Sequence, residues 1–158
     1  MRPGPSPYNH TQAGGLVITT IVVLLLACWA LALASGEIAP IVPLTLFFAA
    51  ILLVFYCLQV EVDDEAIRIR FGAGLIRKTI PLDRVAECEK VRNAIWHGWG
   101  VRYIGRGWLY NVSGLDAVEV RFHDGKRTRI GTDDPDGLLQ AIRDRLQISS
   151  PGPSGKRN

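Results

Sequence analysis

The sequence predicts an N-terminal transmembrane α-hairpin followed by a mainly-β domain, in which antiparallel strands form a curved sheet or barrel closed by one C-terminal helix. Three observations carry this reading. Two long apolar runs, Gly14–Ala34 and Ile38–Leu58, are separated only by Ser35-Gly36-Glu37. From Gln59 onward, apolar residues recur at every second position, the period of a half-buried strand. Near the C-terminus the period lengthens to that of an amphipathic helix. The expected organisation is a disordered tail (1–13), the two-helix hairpin (14–58), a β domain (59–148) and a second disordered tail (149–158).

Each apolar run is about 20 residues long, which at the helical rise covers the roughly 30 Å of a hydrocarbon core. Leu16–Ala34 carries no charged side chain, and Pro40 and Pro43 fall in the opening turns of the second run, where a missing N–H costs least. Ala32-Leu33-Ala34 is similar to a signal-peptide cleavage site, but the apolar stretch exceeds the roughly 7–15 residues of such a signal, so the helix is expected to be retained. The connector holds Glu37 and no Lys or Arg, whereas Arg68, Arg70, Arg77, Lys78 and Arg84 follow the second run. The positive-inside rule then puts the connector outside and both termini in the cytoplasm of a multi-pass protein.

Met1–Gln12, with Pro3, Gly4, Pro5 and Pro7, has no apolar period, and Ser149–Asn158 reads the same way. The net charge of +3 over 158 residues owes much to Lys156 and Arg157. The domain is therefore nearly balanced, which argues against nucleic acid as a partner. Cys28, Cys57 and Cys88 have no framework spacing and do not suggest a disulfide scaffold.

Within the domain, Ile67, Ile69 and Phe71 alternate with Arg68 and Arg70, and Val118, Val120 and Phe122 alternate with Glu119 and Arg121. Turn signals at Asp63-Asp64, Gly72-Ala73-Gly74, His97-Gly98, Ser113-Gly114 and Asp124-Gly125 divide the segment. They predict strands at Leu58–Val62, Ala66–Phe71, Leu75–Ile80, Val85–Arg92, Gly100–Ile104, Trp108–Val112, Ala117–His123 and Arg127–Gly131. The closing helix has Asp134 as cap, Pro135 at its first position and an apolar stripe of Leu138, Leu139, Ile142 and Leu146.

Two apolar helices followed by RFGAGLIRKTIPLDRVAECEKVRN (Arg70–Asn93), GWLYNVSGLDAVEVRF (Gly107–Phe122) and RIGTDDPDGLLQAI (Arg129–Ile142) resemble the membrane-anchored bacterial PH-like domain proteins. The resemblance covers Tyr56–Leu146. It implies two near-orthogonal antiparallel sheets capped by a helix, a place at the bacterial cytoplasmic (inner) membrane, and a binding rather than catalytic role. Eukaryotic lipid-binding members use a basic first hairpin loop; the corresponding turn here is Asp63-Asp64-Glu65, which argues against phosphoinositide recognition.

No catalytic constellation stands out. His10, His97 and His123 are far apart and lack a ligand spacing, so no metal site is expected. Asp133-Asp134-Pro135-Asp136-Gly137 lacks the spacing and terminal Glu of a calcium loop, and the glycines at 98, 100, 105 and 107 lack the strand–loop–helix setting of a phosphate loop. The sequence implies no cofactor. Arg92–Tyr110 mixes arginine with tryptophan and tyrosine, a composition that binding surfaces and membrane interfaces share. Arg92, Trp96, Trp99, Arg102 and Arg106 are the candidate partner-binding residues, and Arg68, Arg70, Arg77 and Lys78 the candidate lipid-facing cations. The expected function is a non-enzymatic membrane-anchored interaction module, working through a protein partner or self-association. The alternative is a sensor of anionic lipid headgroups or a small ligand at the membrane surface.

Overall fold

An apolar run without a charged side chain forms helix α1 (Gly15–Ser35), and Gly36, at φ 77°, ends it in the left-handed conformation that suits glycine. Helix α2 (Ile41–Phe55) starts behind Pro40 and holds Pro43 in its first turn. These helices belong to a computed structural model that describes residues 7–94, 98–105 and 107–149. The Trp29 indole N–H donates to the Thr45 hydroxyl at 3.1 Å, tying the two helices together. Most of α1 faces outward, with Leu31 71% exposed, so the helix is not buried in the core of the domain.

The second run is shorter as a helix than its composition predicts. At 21 residues α1 is about 31 Å long and can cross a bilayer; at 15 residues α2 is about 22 Å and falls below that length. The apolar tail of the run, Cys57 and Leu58, leaves the helix to begin a strand, where Leu58 becomes fully buried.

The first 13 residues are not all tail. Tyr8–Ala13 form strand β1, which pairs antiparallel with β2 (Cys57–Val62) from Tyr8↔Val62 to Ala13↔Cys57. No apolar period betrays β1, because its inward residues are Tyr8, His10 and Gln12. Each reaches a partner across the molecule, although the Gln12 Oε1 is left buried without one among the described residues. The Tyr8 hydroxyl donates to Asp134 at 3.1 Å, His10 Nε2 lies 2.5 Å from Asp133 Oδ1, and the Gln12 amide donates to the Ser113 carbonyl at 3.0 Å.

Strands β3 (Ala66–Phe71) and β4 (Ile76–Pro81) complete a sheet in the order β1-β2-β3-β4. After a short 3-10 turn (Leu82–Arg84) come β5 (Val85–Arg92), β6 (Gly100–Tyr103), β7 (Gly107–Asn111), β8 (Asp116–Phe122) and β9 (Arg127–Gly131), ordered β5-β8-β9-β7-β6. All the expected strands are present to within one residue at each end. The expected run of successive antiparallel strands breaks after β4, where the second sheet begins; in that sheet β5 pairs with β8 and not with β6, and β9 enters between β8 and β7 and pairs with β7 in parallel. Gly107 permits it, since a Cβ there would collide with the Arg127 carbonyl.

The two sheets do not close into a barrel. The β1 edge meets the ends of β7 and β9 near Ser113 and Asp133, while the β4 edge faces the β6–β7 and β8–β9 turns. Strands of the second sheet therefore run across those of the first. Ile67, Ile69, Phe71, Val118, Val120 and Ile130 fill the space between them, with Leu138 and Ile142 of helix α3 (Pro135–Ser149) covering the open side. Asp134 caps α3, its carboxylate accepting the Gly137 N–H at 3.0 Å.

The hairpin is packed onto the domain at its exit. Phe55 sets its ring edge-on to Phe71, with centroids 5.8 Å apart, and the Ala73 N–H reaches the Leu53 carbonyl at 3.5 Å. Gly72, at φ 50°, sits so close that a Cβ would strike the Leu53 and Val54 carbonyls. A Gly72→Ala substitution is expected to cost about 1–3 kcal/mol through backbone strain and that clash. Gly15→Ala, at a site with open space around it, should be neutral. Thermal melting of the full chain in detergent, followed by circular dichroism, checks both.

Candidate functional site

A cleft of about 430 Å³ lies between the β4 edge and the β6–β7 and β8–β9 turns. Strand alternation brings its first cation there. Opposite Ile69 in register, Lys78 shares the inward face with Ile76 and Ile80, yet near the sheet margin its side chain stays exposed and lines the cleft. Arg84 arrives from the 3-10 turn, and Lys126 and Arg127 from the β8–β9 turn.

That turn is shaped by Asp124, whose carboxylate accepts the Lys126 N–H at 3.0 Å. This backbone bond, against a smaller opposing desolvation and aided by the charges of Lys126 and Arg84, holds the Asp124 carboxyl below its usual range. Arg84 and Lys126 approach it at 3.8 and 3.2 Å. Among the described residues lining the cleft there are thus four cations and one carboxylate, with Arg127 also bound to Glu119 behind the wall. The remaining wall is aromatic: Tyr103 and Trp108 meet edge to face at 5.8 Å and are 59% and 48% exposed.

Behind Trp108 a smaller pocket of about 100 Å³ reaches Glu119, a carboxylate only 2% exposed. Three arginines surround it: Arg127 at 3.1 Å, Arg121 at 3.2 Å and Arg129 at 2.7 Å. Arg121 continues the network to Glu87 and Glu89 on β5. Burial by itself raises the Glu119 pKa, but hydrogen bonds from Arg129 and Arg121 and the charges of Arg129 and Arg127 outweigh it and leave the pKa lowered.

The residues singled out in the sequence divide among several places. Arg92 ends β5 and Arg102 lies on β6, the two outer strands of the five-stranded sheet, so they are about 19 Å apart at ordinary strand spacing and do not form one patch. Trp96 and Arg106 lie outside the described residues. Trp99 is 38% exposed beside Gly100, where an added Cβ would be 3.7 Å from the Phe55 ring; this puts Trp99 near the hairpin exit, where Tyr56 and Leu75 are also exposed. Of the other aromatic residues in the segment, Tyr110 is buried against Phe71, whereas Tyr103 and Trp108 are cleft walls.

The basic quartet is also split by strand alternation. Arg68, Arg70 and Arg77 occupy the outer face of the four-stranded sheet, and Lys78 the inner one. Arg68 pairs with Asp63, Arg70 approaches Glu61 at 3.9 Å, and Arg77 donates to the Gly74 carbonyl at 2.6 Å. Arg84, Lys126 and Arg127 were not among the candidates. Lys126 and Arg127 lie far in sequence from Lys78 and Arg84, and only the period-two pattern of Ile76-Arg77-Lys78-Thr79-Ile80 carried a hint, by setting Lys78 on the apolar side.

Glu119 provides a direct test of the electrostatics. With a folded pKa below the ordinary 4.5, it contributes stability that is present above that value and lost as the pH falls through the folded pKa. Glu119→Gln should flatten the acid limb of the stability curve. Glu119→Ala, which leaves partly solvated arginines unpaired, should cost about 2 kcal/mol at neutral pH. Urea unfolding between pH 3 and pH 7 is the measurement. Compared with known protein families, curated proteins and solved structures, the chain matches none.

Proposed function

We propose that this chain is a membrane-anchored, non-enzymatic interaction module. Its helical hairpin crosses the membrane twice and holds a PH-like domain at the cytoplasmic face of a bacterial inner membrane, where the domain captures a protein partner. The pairing of β1 with β2 carries this reading. It sets Ala13 opposite Cys57, and the Gly14 N–H donates to the Tyr56 carbonyl at 2.8 Å, so the segment between them leaves and re-enters one sheet at one place. A segment with both ends on one side of a bilayer crosses it an even number of times. If α1 crosses, α2 must return.

The 15 residues of α2 make that return short, and the mismatch draws the hairpin exit down to the lipid interface. Exposed Tyr56, Leu75 and Trp99 at the exit have the chemistry of that interface. The strand before α1 also favours a retained helix, since cleavage after Ala34 would remove β1 from the sheet. Glu37 in the connector and the arginines of β3 and β4 favour a cytoplasmic domain. Crossed sheets with a C-terminal helix are in keeping with a PH-like domain.

A second reading, recognition of anionic headgroups, draws on Arg70 and Arg77, opposite one another next to the turn that touches α2. Cysteine labelling with a membrane-impermeant maleimide tests the topology. Glu37→Cys should react in intact cells, and Asn9→Cys and Lys126→Cys only after permeabilisation. Asn9→Cys behaving like Glu37→Cys would break the double crossing. For partner capture, crosslinking in cells followed by gentle detergent purification should retain a protein; a monomer carrying only anionic lipid would favour the second reading.

A further inference from the structure

We infer that the cleft beside β4 is a docking site for an extended acidic segment of a partner protein, which adds to β4 as a further strand. This rests on the partner-capture reading above and names the chemistry of the partner. Strand β4 ends its sheet, so one row of its backbone N–H and C=O groups has no strand beside it. Lys78, Thr79, Ile80 and Pro81 line the cleft consecutively, although their side chains alternate between the two faces. The wall is therefore the edge of the strand and not one of its faces.

The other edges are less open. β5 lies against α3, with Lys90 paired to Asp136 and Arg143 donating to the Cys88 carbonyl, and β1 is tied to Asp133, Asp134 and Ser113 through its inward side chains. β6 has only four residues.

Charge selects the occupant. Among the described lining residues, Lys78, Arg84, Lys126 and Arg127 outnumber the one carboxylate, Asp124; Arg84 and Lys126 lie against Asp124, Arg127 binds Glu119 behind the wall, and Lys78 has no ion pair among the described residues. An extended strand presents alternate side chains to opposite sides, so carboxylates at every second position can meet these cations while main-chain hydrogen bonds hold the register. Between them, Trp108 offers an exposed face to an apolar residue. A lysine at a sheet edge also has a simpler use, discouraging edge-to-edge aggregation. The two roles differ in one respect: a charge of either sign guards an edge, but only a cation recruits an acidic strand.

The test uses the full chain in detergent micelles and the fluorescein-labelled peptide Val-Glu-Val-Glu-Phe-Glu-Val, followed by fluorescence anisotropy. Wild type should bind it at least about tenfold more tightly than the same peptide with lysine for glutamate, or with its third residue, a valine, replaced by proline, which lacks the N–H and leaves all three carboxylates in place. Lys78→Glu and Lys126→Glu should each weaken binding by about tenfold, and Lys90→Glu, outside the cleft, should leave it unchanged. Melting curves of both cleft variants confirm that the domain is folded. Equal binding of the lysine or proline peptide, or binding indifferent to Lys78→Glu, overturns the site. If the peptide fails while a protein still co-purifies with the chain, the site is wrong and partner capture stands. Peptide binding with the expected variant pattern, but no co-purifying protein, upholds the site and removes the capture reading.

Discussion

Antiparallel pairing of β1 with β2 governs the rest of the molecule because it joins chain segments on either side of a 43-residue excursion, from Gly14 to Tyr56. Closing so long a loop between two strands has an entropic cost that grows only slowly with length, and a pre-formed helical hairpin lowers it further. Once made, the pairing places the two helix ends side by side. The Gly14 N–H to the Tyr56 carbonyl, the Gly72 N–H to the Cys57 carbonyl and the Phe55–Phe71 ring contact then lock hairpin to domain. The helical hairpin is thus built into the first sheet and not attached through a flexible linker. A domain held this way samples a restricted range of orientations relative to the helices.

The crossing of the two sheets determines which surfaces remain for recognition. Along one side, Tyr8, His10 and Gln12 seam β1 to the ends of the second sheet; the Tyr8 phenol, desolvated and close to Asp134, is held far above its usual pKa and stays a neutral donor. Along the other side the described residues form no such seam, and the sheets diverge into the cleft beside β4. Glu119 organises the wall behind it. By binding Arg127 and Arg129 from β9 and Arg121 from its own strand, one buried carboxylate aligns guanidinium groups that would otherwise repel each other. The cleft and the hairpin exit are separate surfaces with different chemistry, one cationic and aromatic beside a strand edge, the other apolar and aromatic beside the helices.

Much of the fold was legible because its signals are local. Alternation in Ile67–Phe71 and Val118–Phe122, glycine and aspartate at the turns, and the cap-and-stripe pattern of α3 each reside in a few neighbouring residues, and all of these elements form. β1 was not legible, since Tyr8, His10 and Gln12 face inward without being aliphatic and find hydrogen-bond partners more than a hundred residues away. The end of α2 was missed for a related reason: Cys57 and Leu58 are as suitable for a membrane helix as for a strand, and pairing with β1 and β3 decides between them. The candidate site fared worse, because nearness in sequence is not nearness in a sheet. Arg92 and Arg102 went to opposite edges, and Lys78 parted from Arg77 across one.

By itself, then, the sequence determined an apolar N-terminal helical region, the strands that follow it and the amphipathic helix at the end, because period, capping and turn chemistry act over a few residues. Tertiary structure alone decided that β1 belongs to the domain, that β9 lies between β7 and β8, and that Lys78, Arg84, Lys126, Arg127 and Trp108 share one cleft. Strand order and edge exposure are set by packing between distant segments, and no local pattern encodes which ends of two crossed sheets will be left open.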